Sequence, residues 1–211
     1  MHKIFLMSDI HVMAPSLLED KENAKFIEYM KTDPKMLAES PAVLTHLVDK
    51  AIEENVGLVL IAGDLTKDGE YDSHDWVSFE LERLREAGIK TLVIPGNHDI
   101  NNPEGVIYKK NNATEKADRI TPDDFEDFYY DFGYNENSYD FENYSRDPAS
   151  LSYCCEPIDD LYLVCLDSNS YDDIKPEDTR NQTSGKLRNE TIEWMTPLLN
   201  LKASRLQALR A

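Results

Sequence analysis

Three short apolar runs in the first hundred residues, each closed abruptly by polar residues, constrain the fold of this chain most strongly. They are Ile4–Met7, Leu58–Ala62 and residues 91–95. Each run is too short for a buried helix and has the length and composition of a fully buried strand. Strands of this kind are typical of parallel sheets, whose two faces are both covered. The sequence therefore predicts three neighbouring parallel strands.

Helical patterns separate these runs. Ser40 followed by Pro41 predicts a helix start, and apolar residues recur behind it at helical spacing. Ser73 predicts the start of a second helix, which Gly88 would end. Alternation of strand and helix indicates the α/β class, with a mostly parallel sheet, flanking helices and right-handed crossovers.

The second half of the chain has a different pattern. Thr121 predicts the cap of a third helix, and the following stretch, 131–147, is expected to be a loop. Two apolar runs, 151–155 and 161–166, are interpreted as paired strands joined by a turn. A last helix is expected over about 187–201.

The length and net charge of this chain limit the class of protein to which it can belong. The 211 residues suffice for one core, so we expect a single domain over 1–211. The net charge of −19 disfavours binding to a nucleic-acid backbone, which requires a basic surface. No apolar run approaches the ~20 residues of a membrane-spanning helix, and the start of the chain lacks a signal-peptide pattern. We therefore expect no membrane association and a cytoplasmic location.

The negative charge is concentrated at about 121–178, which holds 17 acidic and two basic residues. The same segment contains 12 of the 20 aromatic residues, a composition unlike that of a disordered acidic tail. We interpret it as a folded, acidic, aromatic-rich lobe. The three cysteines form no C-x-x-C pair and are interpreted as core thiols.

The residues that carry chemistry follow the three predicted strands. Ligands of open parallel sheets bind at the carboxyl ends of the strands, where the first residues of each loop converge. At those positions this chain has six polar side chains, namely Asp9, His11, Asp64, Asn97, His98 and Asp99.

These residue types suit a site for divalent metal ions. On a regular strand Asp9 and His11 would face the same side and share one ion, Asp64 could bridge two ions, and Asn97 could bind the second. Carboxylate and imidazole together favour Zn, Fe or Mn over Ca. Two such ions polarise a phosphoryl group and lower the pKa of a bound water.

The motifs D-x-H, G-D and G-N-H-D, in this order, resemble those of the calcineurin-like metallophosphoesterase superfamily. The similarity is closest to the bacterial cyclic-nucleotide phosphodiesterase-like branch and extends to about Leu199. Further segments that resemble this branch are Asp64-Leu65-Thr66, Gly69-Glu70, Asn101-Asn102-Pro103, Asp131-Phe132-Gly133-Tyr134, Leu166-Asp167-Ser168, and Gly185, Leu187 and Trp194.

The resemblance implies a metallophosphoesterase-like layered sandwich and a hydrolase of phosphate esters, with a phosphodiester such as a cyclic nucleotide as the favoured substrate. Asp9 and His11 would bind the first of two ions (Mn, Fe or Zn), Asp64 would bridge, and Asn97 would bind the second ion and the substrate. A metal-bound hydroxide would be the nucleophile.

The resemblance also implies how the leaving group is protonated. His98 would contact the substrate phosphate and act as general acid. Asp99 would orient His98 and set its tautomer.

One departure from the family pattern qualifies this expectation. The family has further histidine ligands, including a later G-H-x-H motif, whereas this chain has only His2, His11, His46, His74 and His98. His46 and His74 are expected on helix surfaces. The chain therefore resembles the N-terminal part of a metallophosphoesterase, and we expect an apolar sheet edge that permits homo-oligomers.

Two hypotheses follow. The first is an active metal-dependent phosphodiesterase. The alternative is a catalytically impaired or inactive fragment that folds, binds metal weakly and self-associates. An acidic calcium-binding module is disfavoured because the acidic residues lack EF-hand spacing.

Overall fold

The alternation of strand and helix produces the predicted parallel sheet. The computed structural model describes residues 3–139, 141–175, 177–181 and 183–208, with the backbone alone for 201–208. The strands are β1 (Ile4–Met7), β2 (Leu58–Ala62), β3 (Lys90–Ile94), β4 (Val106–Tyr108), β5 (Thr114–Lys116), β6 (Glu142–Arg146), β7 (Tyr153–Ile158) and β8 (Leu161–Cys165). The helices are α1 (Ala24–Met30), α2 (Ser40–Glu53), α3 (Tyr71–Glu86), α4 (Pro122–Phe128) and α5 (Asn189–Ala208).

Strands β1, β2 and β3 form one sheet in that order, and both pairs are parallel. Helices α2 and α3 pack against each other and share one apolar core with the sheet. The α/β class with a parallel sheet and flanking helices is therefore confirmed. Residues from both helices and from β2 are fully buried in this core, including Leu44, Val48, Val77, Leu81 and Val59. Burial of each such side chain stabilises the fold by about 1.5–3 kcal/mol.

A second, antiparallel sheet of β6, β7 and β8 joins this core. In the parallel sheet Leu6, Leu60 and Leu92 are cross-strand neighbours, and all three line an apolar cleft of about 180 Å³ that β7 and β8 close. The hydroxyl of Tyr153 on β7 donates a hydrogen bond of 2.9 Å to the carbonyl of Val93 on β3. The two sheets therefore form a layered arrangement with the helices.

Strand β1 lies at the edge of the parallel sheet and exposes apolar side chains. Leu6 is 72% exposed and Ile4 is 44% exposed. An edge of this kind can pair with another strand. Self-association through this edge stays a prediction. Among the helices that the structure describes, none combines the length and apolar character needed to cross a bilayer.

Helices α2 and α3 begin earlier than their predicted serine caps. The Ser40 hydroxyl accepts the backbone N–H of Met13 at 3.0 Å, and the Ser73 hydroxyl accepts that of Ala14 at 3.2 Å. Ser40 is the first residue of α2 and Ser73 is the third residue of α3, so neither serine caps its helix. Their hydroxyls instead fix the loop that follows β1.

The second half of the chain differs from expectation in one element. Residues 131–147, predicted to be a loop, contain β6, which pairs with β7. Thr121 forms the predicted cap, in which its hydroxyl accepts the N–H of Asp124 at 3.2 Å. The predicted pair of strands is confirmed as β7 and β8, and α5 continues past Pro197. Cys154 and Cys155 are both buried, and the described cysteines form no disulfide.

His74 does not lie on a helix surface as expected, because its side chain is fully buried. Its Nε2 lies 2.9 Å from the carbonyl oxygen of Asp99, which only accepts, so Nε2 carries the hydrogen. Nδ1 then accepts from the hydroxyl of Tyr129 at 2.8 Å. Burial lowers the pKa of His74 to about 3. His46 is exposed, as predicted.

The low pKa of His74 predicts a loss of stability in weak acid. Below pH ~6.5 the unfolded chain protonates this histidine, whereas the folded protein keeps it neutral down to pH about 3. The free energy of unfolding should therefore fall, from this group, by up to about 1.4 kcal/mol per pH unit between pH 6 and 4. Urea titrations at several pH values measure this slope.

In these titrations His74→Gln should reduce the slope of the unfolding free energy against pH by up to the contribution of one proton, about 1.4 kcal/mol per pH unit. His46→Gln, at an exposed position, should leave the slope unchanged. Equal slopes for the wild type and His74→Gln would contradict the assignment of a neutral, buried imidazole.

Candidate active site

The site forms where the three parallel strands end, and its backbone is unusual. The N–H of Asp9 donates to the carbonyl of Gly63 at 3.1 Å, and that of His11 donates to the carbonyl of Asp64 at 2.9 Å. Asp9, His11 and Asp64 all have left-handed φ values, of 54°, 47° and 50°. Such conformations cost of order 1–3 kcal/mol and cluster at functional sites. Asp9 and His11 thus lie beyond the end of β1, whereas the sequence predicts them on a regular strand.

Two glycines let the loops after β2 and β3 touch. A Cβ on Gly96 would collide with the Oδ1 and the backbone nitrogen of Asp64, and Gly63, at φ 84°, packs directly on Gly96. Asp64 Oδ1 also accepts the backbone N–H of His98 at 2.9 Å. The carboxylate of Asp64 is therefore held in one orientation by the loop that carries His98.

His11, Asp64 and His98 converge. One ligand atom from each lies within 4.8 Å of the others. His11 Nε2 is 3.7 Å from Asp64 Oδ2, and the rings of His11 and His98 have centroids 4.7 Å apart. Ligand atoms at about 2.1 Å from one ion lie roughly 3–3.5 Å from each other. The distance between His11 and Asp64 is near this range, whereas the limit of 4.8 Å that includes His98 is wider.

The protonation of His11 fits a metal ligand. Its Nδ1 lies 3.3 Å from the carbonyl oxygen of Thr66, so Nδ1 carries the hydrogen and Nε2 directs its lone pair toward Asp64. Burial, followed by the charges of Lys35 and His98, lowers the pKa of His11 despite the carboxylate of Asp64. The neutral imidazole is the form that binds a metal. The donor set therefore fits a divalent cation.

His98 is held by Asp68. Its Nδ1 lies 2.7 Å from the carbonyl oxygen of Lys67 and 3.0 Å from Asp68 Oδ1, so Nδ1 donates and Nε2 is left to face the site. Burial lowers the pKa of His98, but the hydrogen bond to Asp68 and the charge of Asp64 outweigh burial, so the pKa is raised. His98 therefore binds a proton more readily than an ordinary buried histidine.

Buried charged side chains stabilise the contact between Asp68 and His98. Lys67 is only 1% exposed, forms an ion pair with Asp68 and has Glu70 Oε1 at 3.8 Å. Burial alone would raise the pKa of Asp68, but His98 and Lys67 together lower it below its usual range. Asp68 is thus a carboxylate when it accepts from His98.

Asp99 has a different role from the one expected. Its buried carboxylate accepts the backbone N–H groups of Leu65 at 3.2 Å, Thr66 at 2.9 Å and Gly96 at 2.7 Å. The side-chain partner of His98 is therefore Asp68 and not Asp99. Consecutive residues in this tight turn direct their side chains in different directions, and that of Asp99 points back into the joined loops.

Asp9 and Asn97 lie at the same edge of the sheet. Asp9 is exposed, and Asn97 is half-buried with its backbone carbonyl accepting from the side chain of Asn181 at 2.6 Å. The group of three converging ligands formed by the described histidines, cysteines and acids does not include Asp9. The ligand roles of Asp9 and Asn97 stay predictions.

Sequence reasoning did not identify Asp68 or Lys67. Both belong to the polar loop that follows Asp64, where the sequence contains several charged residues without a distinguishing pattern. The four-residue spacing from Asp64 to Asp68 is the one available signal, and it is weak without knowledge of the loop conformation.

The chain belongs to the calcineurin-like phosphoesterase family, whose model matches residues 2–204. It is 40% identical over 60 residues to an uncharacterized metallophosphoesterase, YhaO, of Bacillus subtilis (strain 168), which covers 28% of this chain and 15% of that protein. It is 38% identical over 68 residues to a probable cyclic nucleotide phosphodiesterase of Ruthia magnifica subsp. Calyptogena magnifica, which covers 32% of this chain and 28% of that protein. The matches thus span less than a third of either relative.

The contact between Gly96 and Asp64 predicts the effect of one added methyl group. Gly96→Ala should displace the Asp64 carboxylate and weaken the binding of Mn²⁺ about 10- to 100-fold, as loss of ligand orientation does at other sites. Isothermal titration calorimetry with MnCl₂ measures the affinity.

The matched control is Gly88→Ala, at a glycine with φ 75° and open space around it at the end of α3. It should lower stability by about 1 kcal/mol and leave the Mn²⁺ affinity unchanged. If Gly96→Ala binds Mn²⁺ as tightly as the wild type, Asp64 is not a ligand that Gly96 positions.

Proposed function

We propose that this protein is a metal-dependent hydrolase of phosphate esters, with phosphodiesters, cyclic nucleotides among them, as substrates. The observation that carries the proposal is the convergence of His11, Asp64 and His98 at the carboxyl ends of the parallel strands. Family membership and the similarity to a probable cyclic nucleotide phosphodiesterase support it. The alternative hypothesis of an inactive fragment is not favoured by these comparisons.

His11 and Asp64 would hold a divalent ion, and we propose that Asp9 and Asn97 extend the set to two ions. Imidazole and carboxylate ligands favour Mn, Fe or Zn. The chemistry that such ions supply is polarisation of the phosphoryl oxygens and a bound water of lowered pKa. Asp64 is suited to a central position because its Oδ1 is fixed by the N–H of His98 while Oδ2 faces His11.

His98 is proposed to bind the phosphate and to protonate the leaving oxygen. Its Nδ1 hydrogen is committed to Lys67 and Asp68, so only Nε2 can deliver a proton into the site. A general acid works best when its pKa lies near the working pH, and the carboxylate of Asp68 raises the pKa of His98 toward that range. Asp68 is therefore a positioning residue that acts through His98.

The direct test is hydrolysis of bis(p-nitrophenyl) phosphate and of cyclic AMP by the protein loaded with Mn²⁺, Fe²⁺ or Zn²⁺. We expect turnover with at least one ion and its loss on addition of EDTA. Absence of turnover with all three ions, in protein that binds them, would support the inactive-fragment hypothesis.

The leaving group provides a sharper prediction for His98. Nitrophenolate is a stable anion that departs without a proton, whereas the ribose oxygen of cyclic AMP needs one. His98→Asn should therefore lower kcat about 10²- to 10⁴-fold with cyclic AMP and much less with the nitrophenyl ester. Steady-state kinetics of both substrates test this, with His46→Asn as an unaffected control. Equal losses with both esters would exclude His98 as the general acid.

A further inference from the structure

A groove between α3 and α4 carries aromatic side chains on the surface of the molecule. It has a volume of about 590 Å³ and is lined by α3 and by residues 127–132, at the end of α4 and just after it. Its aromatic residues are Trp76, Phe79, Phe128, Tyr130 and Phe132. Among the described residues that line this α3–α4 groove, none belongs to the strand-end loops of the candidate active site.

Aromatic exposure is concentrated at this groove. Phe79 is 66% exposed and Tyr130 is 51% exposed. Tyr71 is 50% exposed and contacts the ring of Phe128, with centroids 4.9 Å apart. Among the residues that the structure describes, Tyr71, Phe79 and Tyr130 are the only exposed aromatic side chains. A contiguous exposed apolar patch marks an interaction site, whereas scattered single residues do not.

The floor of the α3–α4 groove is fixed by the core. Phe132 is buried and belongs to the main apolar cluster. Phe128 stacks on the buried ring of His74, with centroids 5.8 Å apart and an angle of 29° between the ring planes. A partner would therefore meet a preformed surface, and binding would order few side chains of this protein.

The same groove is acidic. Four of its lining residues are acidic and none of the described ones is basic. The acidic residues are Asp75, Glu82, Asp127 and Asp131. Glu82 forms an ion pair with Arg85, and Asp131 accepts a hydrogen bond from the hydroxyl of Ser138 at 2.7 Å.

The other two carboxylates are not compensated. Asp75 and Asp127 are exposed, and within the described part of the chain neither has an ion-pair partner. Uncompensated carboxylates beside aromatic rings attract a cation. They repel an anionic lipid surface, a nucleic acid and a second copy of this chain, whose net charge is −19.

An arginine side chain matches both properties of the groove. Its guanidinium stacks on aromatic rings and donates to carboxylates, while its apolar stem covers ring surface. The molecule contains two such contacts of its own. The guanidinium carbon of Arg146 lies 4.6 Å from the ring centroid of Tyr134, and that of Arg188 lies 5.3 Å from the ring centroid of Tyr171.

We propose that the α3–α4 groove is a docking site for a partner protein that inserts a basic, arginine-bearing segment. Charge complementarity selects this occupant, because the groove combines exposed aromatic rings with carboxylates that lack a counter-charge. Tyrosine, tryptophan and arginine are also the residues that dominate binding energy at protein interfaces. The inference concerns a surface outside the strand ends and does not depend on the proposed function.

Fluorescence anisotropy tests the proposal with two labelled peptides, one of four Arg-Ser-Gly repeats and one of four Lys-Ser-Gly repeats. About 150 mM NaCl screens charges that are more than about 8 Å apart. The wild type should bind the arginine peptide about three- to tenfold more tightly than the lysine peptide, because only guanidinium both stacks and donates in pairs. Equal affinities overturn the proposal, and so does the absence of binding.

Removal of the exposed rings locates the binding site without a change of charge. The double variant Phe79→Ser, Tyr130→Ser should bind the arginine peptide about 5- to 30-fold more weakly. Each single variant should show a loss of about two- to fivefold, which keeps the test decisive if the double variant does not fold. Ile192→Ser, at a 45% exposed position on α5, is the control and should change nothing. Unchanged affinity in the Phe79 and Tyr130 variants overturns the proposal.

A second pair of variants separates the groove from the overall charge. Asp75→Asn combined with Asp127→Asn should weaken binding of the arginine peptide about three- to tenfold. Asp159→Asn combined with Asp160→Asn changes the net charge equally at the exposed turn between β7 and β8, and should have less than about a twofold effect. Equal losses in both pairs would show that the peptide responds only to net charge, and the proposal would then fail.

Arginine amide distinguishes a segment of a partner from a small organic cation. At a guanidinium concentration equal to that of the peptide it should displace little of the bound peptide, because linked arginines bind together. Effective competition by arginine amide at that concentration would make the groove a site for a small cation and would overturn the docking of a protein segment.

Discussion

The buried carboxylate of Asp99 is the interaction on which the geometry of the strand ends depends. It gathers the backbone N–H groups of Leu65, Thr66 and Gly96 and so joins the loop after β2 to the loop after β3. A carboxylate without water is stable only when donors surround it. Burial and the neighbouring carboxylate of Asp64 nevertheless raise its pKa to about 6. The backbone of the same residue accepts from His74, which links the loops to α3 and α4.

The orientation of the site follows from this junction. With the two loops joined, Gly96 lies against Asp64, and the N–H of His98 reaches the Asp64 carboxylate. The left-handed backbone of Asp9, His11 and Asp64 is unfavourable in isolation and persists because the surrounding hydrogen bonds determine it. Three of the described non-glycine residues with left-handed φ values therefore lie at the strand ends that form the site.

The sequence predicts the parts of this structure that local patterns determine. Strands β1, β2 and β3 follow from their apolar runs, and the strand-end motifs follow from the general placement of ligands in parallel sheets. The helix starts were misplaced because Ser40 and Ser73 bond to amides of a distant loop. Strand β6 was missed because its polar residues become a strand only by pairing with β7. The burial of His74 and the contact of Asp68 with His98 likewise depend on tertiary structure.

Next to the site, a buried lysine compensates part of the negative charge of this acidic chain. Within the loop after β2, the buried Lys67 neutralises Asp68, and Glu70 lies beside the same ammonium. An unpaired buried carboxylate would take up a proton, and Asp68 would then no longer raise the pKa of His98. Because Lys67 compensates its charge, Asp68 can stay ionised and hold the His98 proton. The catalytic proposal for His98 therefore depends on a lysine that does not itself reach the substrate.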